Sequence, residues 1–181
     1  MLRALASAAL AVLTLVASAA CSRVLVSYSD SRNFYSPAYF SYVAGRGPVP
    51  AVVYNAPFGD AAVATRIPPP AFAHKATFVA ARGPEWLAHD RIVLAFNPEP
   101  GTDVTQLCRA TEMPGAAGRS RLDVLAVLCR GTYPTSHAVL SAPATQSPDD
   151  PTFRELLSQV SLAVFPPLRA DGDGCVNQGR C

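Results

Sequence analysis

His74, His89 and His137 are the only imidazoles in the chain, so any histidine chemistry must come from them. No two stand four residues apart, and none sits in an H-E-x-x-H or H-x-x-E-H setting, so zinc hydrolysis has no motif to rest on. His89-Asp90 is a dipeptide shared with metal-dependent phosphohydrolases, but that chemistry needs further His and Asp ligands at set places. Ser136-His137 pairs a nucleophile with a base in name only. Neighbouring residues on an extended strand point to opposite faces, and no G-x-S-x-G turn presents the serine. Asp171-Gly172-Asp173-Gly174 imitates the front of a calcium loop. Cys175 and Val176 then replace the ligand and the glycine an EF-hand requires, and no Glu follows. These patterns give no expected catalytic residue, metal ligand or cofactor. A hydrolase drawing on His89, Asp90 and His137 is the enzymatic alternative. The rings from Tyr28 to Tyr42 are the other candidate, as core and cover or as the lining of a small-ligand cavity.

The remaining chemistry belongs to cysteine. Met1-Leu2-Arg3 starts the chain with one positive charge, Ala4–Val16 carries no charge, and Ala17-Ser18-Ala19-Ala20 precedes Cys21. A basic start, a short apolar centre and small residues before a cut make an export signal rather than a lasting membrane span. Ala19-Ala20-Cys21 resembles the lipobox of bacterial lipoproteins, although Ser18 stands where Leu is usual. The resemblance implies that Cys21 becomes the acylated first residue of a membrane-anchored envelope protein, on the periplasmic or outer face. Plain secretion is the competing reading, with a cut before Cys21 or before Ala20 and a soluble product. Five cysteines in an exported chain leave one thiol over, and lipidation of Cys21 removes it. Cys108, Cys129, Cys175 and Cys181 then allow three connectivities. Cys108 with Cys129 and Cys175 with Cys181 are expected, because a bend at Pro114-Gly115 would bring the first two together and the tail can close a small ring.

The elements that must position these residues follow from periodicity. Residues 1–20 are the signal, 21–169 a single domain and 170–181 a Gly-rich tail. Ser22–Asp30 and Val49–Asn55 read as strands. Asn33–Tyr42, interrupted by Ser36-Pro37, reads as irregular. Gly59–Arg66 allows two helical turns before Pro68-Pro69-Pro70, and Ala71–Arg82 leans to helix. Arg91–Phe96 and Leu122–Arg130 are buried neighbouring strands, with His137–Ala142 a short partner to the second. Phe153, Leu156, Leu157, Val160 and Val164 lie on one helical face, entered through Asp150 as N-cap and Pro151. Four or five strands with two or three helices predict an α+β two-layer sandwich on a mainly antiparallel sheet. A mostly-β sandwich with one helix is the alternative.

Composition narrows the partners. Charged residues are 15% of the chain, Lys75 is the sole lysine, and the net charge of +2 falls to +1 once Arg3 leaves. With no basic run and no aromatic-basic interleaving, nucleic acid is an unexpected partner. An envelope protein, met by a domain held at the membrane through lipid, is the expected one.

Overall fold

The computed structural model describes residues 24–31, 35–115 and 120–167. Six strands form one sheet: β1 (Leu25–Ser31), β2 (Val49–Tyr54), β3 (Phe78–Ala81), β4 (Asp90–Phe96), β5 (Arg121–Arg130) and β6 (Tyr133–Pro143), in the order β1-β6-β5-β4-β2-β3. Four helices accompany it: α1 (Pro37–Ala44), α2 (Asp60–Ala64), α3 (Val104–Leu107) and α4 (Pro151–Val164). The expected α+β sandwich is the fold. The sheet is antiparallel from β1 to β4, whereas β2 runs parallel to both β3 and β4. No helix among the described residues is long and apolar enough to cross a membrane.

Alternation along the strands sets which face is core. Ala51 and Val53 of β2, Ile92, Leu94 and Phe96 of β4, Val124 and Ala126 of β5, and Ala138 and Leu140 of β6 point to one side. There they meet Phe153, Leu156, Leu157, Val160 and Val164, the predicted helical face, all fully buried. Asp150 accepts from the Thr152 N–H at 2.7 Å and Pro151 occupies the first turn, so α4 begins where its sequence says. The β4–β5 neighbourhood holds along its whole length, from Asp90 opposite Arg130 to Phe96 opposite Val124. Gly131, at φ +57°, takes the left-handed turn that closes the β5–β6 hairpin.

The intervening residues carry a second, smaller core on the other face. Val93 and Ala95 of β4 and Leu125, Val127 and Cys129 of β5 are covered by Leu107, Cys108, Trp86 and Met113. Cys108 and Cys129 are joined by a disulfide, with Cα atoms 5.7 Å apart and 21 residues of separation. The bridge holds the α3 segment down on the sheet. Its loop is long enough that the Cys108→Ala/Cys129→Ala variant is expected to lose about 3 kcal/mol, read as a lower urea midpoint. A loss below about 1 kcal/mol would show that the segment docks without the bridge.

Several local expectations are corrected. Ser36-Pro37 does not interrupt the aromatic stretch: Ser36 Oγ accepts from the Tyr39 N–H at 3.2 Å and Pro37 opens α1. Residues 71–82 do not form a helix, because only Ala71–Ala73 make a 3-10 turn before β3 pairs with β2, Val49 opposite Phe78. The sheet contact outweighs the helix propensity of the alanines. The partner of β5 is longer than expected, covering Tyr133–Pro143. Cys21, the tail 170–181 with Cys175 and Cys181, and the Asp171–Gly174 pattern lie outside the described residues.

Candidate functional site

Asp90 opens β4 on the α4 side of the sheet, in the same phase as Ile92 and Leu94. His137 lies opposite Val127, which belongs to the other face, so Asp90 and His137 are on opposite sides of the sheet. His89 is exposed, its ring 5.3 Å from that of Trp86, and His74 is exposed on a turn. The three residues of the enzymatic alternative are therefore not brought together. Ser136 is likewise parted from His137: its hydroxyl donates to the Val164 carbonyl at the end of α4.

Asp90 works within the fold. The Tyr39 hydroxyl donates to Asp90 Oδ2 at 2.8 Å, and the Arg130 guanidinium stands 4.1 Å from the centre of the Tyr39 ring. The bond to Asp90 holds the Tyr39 hydroxyl in its neutral form and raises its pKa, helped by burial and opposed by Arg130. The Tyr35 hydroxyl donates to the Pro166 carbonyl at 2.8 Å, and burial raises its pKa as well. These rings line a small, partly open cleft whose inner volume is about 20 Å³, room for one water. The aromatic stretch thus divides: Phe40 is core, Tyr35 and Tyr39 fasten α1, and Tyr28 stands on the opposite face, outside both.

A crevice of about 700 Å³ opens beyond the ends of β2 and β3, lined in part by Tyr54, Asn55, Arg82, Thr111 and Glu112. The ends of parallel strands are where ligands commonly sit. Here, however, three of those groups are engaged by the fold. Arg82 Nε donates to Asp60 Oδ2 at 2.6 Å, the Tyr54 hydroxyl donates to the Ala110 carbonyl at 2.7 Å, and the Asn55 amide packs against Gly115. Thr111 and Glu112 are left at the rim, too little to orient a ligand.

The sheet edge formed by β1 differs from all of these. Every residue of β1 is exposed, including Leu25 at 59%, Val26 at 44% and Tyr28 at 53%. It pairs with β6 on one side and ends the sheet on the other. Tyr28 lies opposite Val139, itself exposed, with its ring 5.3 Å from His137. A groove of about 470 Å³ continues from Val139 and His137 past Leu125 to Pro98–Thr102. The opposite edge is managed: β3 has four residues, and the Arg82–Asp60 pair ties its end to α2. β1 has seven residues, no proline, no lysine and one charge, Asp30, and a bulge between Val26 and Tyr28 interrupts its register with β6. This exposed edge, with Leu25, Val26 and Tyr28 on it, is the candidate functional surface.

No protein-family model, curated protein or solved structure matches the chain.

The surface was half visible in the sequence. Val24, Val26 and Tyr28 alternate with Leu25, Ser27 and Ser29, which marks a strand but not that it is the sheet's edge, and a bulge between Val26 and Tyr28 puts those two on opposite faces. Arg91 carries a clearer signal. It is a charge within the apolar run of β4, and it is buried at 1% exposure.

Proposed function

We propose that the protein is an exported cell-envelope lipoprotein, anchored through acylated Cys21, with a non-catalytic role carried by its exposed edge strand. The observation that carries this reading is β1: seven exposed residues, Leu25, Val26 and Tyr28 among them, starting four positions after Cys21. The tether and the adhesive strand are thus adjacent in the chain. The buried Cys108–Cys129 bridge supports the export half of the reading, since such bonds persist in oxidising compartments. Two acyl chains on Cys21 give firm attachment, where a single chain is marginal and each buried methylene adds about 0.8 kcal/mol.

The test is fractionation. Wild-type protein should sediment with membranes and partition into detergent, whereas Cys21→Ser should appear in the soluble envelope fraction or fail to be processed. Membrane retention of a Cys21→Ser chain that has lost its signal would overturn the lipid anchor, and a soluble wild type would favour plain secretion.

A further inference from the structure

We draw no further inference here: the strongest candidate, the groove beside the β1 edge that runs from His137 and Val139 past Leu125 to Pro98–Thr102, carries none, because nothing in the structure shows what covers it.

Discussion

Replacing Arg91 by alanine is expected to destabilise the domain by about 3–5 kcal/mol, an unusually large loss for a charged residue. The side chain is 1% exposed and its guanidinium donates only to backbone carbonyls in its own neighbourhood. Nη1 reaches Leu87 at 3.2 Å, His89 at 3.0 Å and Gly131 at 2.9 Å, and Nη2 reaches Cys108. One planar fork thus joins the 3-10 turn before β4, the β5–β6 turn and the disulfide-linked α3 segment. Burial lowers the Arg91 pKa, opposed by Tyr54 and Asp90, yet a guanidinium stays charged throughout the ordinary pH range. The desolvation of that charge offsets part of the gain from its bonds. Truncation removes both, and the four carbonyls then lose their donor in a site shaped around it. Arg91→Lys should recover only part of the loss, since an ammonium offers three donors from one point. Urea unfolding measures it as a lower midpoint at unchanged slope, and a shift below about 1 kcal/mol would refute the role given to Arg91.

Leu157→Ala is the second large effect, expected at about 2–5 kcal/mol. Leu157 is fully buried on α4 between the sheet and its neighbours Phe153 and Val160. Phe153 packs edge-on to Phe58 at 5.0 Å and stacks on Phe96 at 6.2 Å, so the surroundings of the helix are held by rings that cannot simply collapse into a void. Leu162 on the same helix is 62% exposed, and Leu162→Ala should change stability by no more than about 0.5 kcal/mol. Equal losses at the two positions would mean that α4 is docked through a different face.

What the sequence made legible follows from where its signals are local. The α4 face was readable because five apolar residues repeat at helical spacing behind an Asp-Pro start. The β4–β5 core was readable because Ile-Val-Leu-Ala-Phe and Leu-Ala-Val-Leu are bounded by turns. The Cys108–Cys129 pair was readable because a bend lies between Cys129, near the end of a strand, and Cys108, in the segment that joins this strand to its neighbour. Ser36-Pro37 misled because the same dipeptide breaks one element and starts another, and only the downstream Tyr39 N–H decides between them. β3 was missed because an alanine-rich run gains strand structure only from β2, whose parallel approach depends on residues far away in the chain. The candidate surface was hidden for the same reason: no local pattern says that the sheet stops at β1. His89, Asp90 and His137 looked like a set in the sequence, and strand alternation parts Asp90 from His137.

The central proposal joins a lipid tether at Cys21 to the exposed edge that follows it, and both stand on the mature amino terminus. Intact-mass and peptide mass spectrometry of the membrane-extracted protein reads that terminus directly. The account predicts a chain beginning at Cys21 with a diacylglyceryl group on its sulfur. A mature chain beginning at Ala20, or at a Cys21 whose thiol is unmodified, would contradict it.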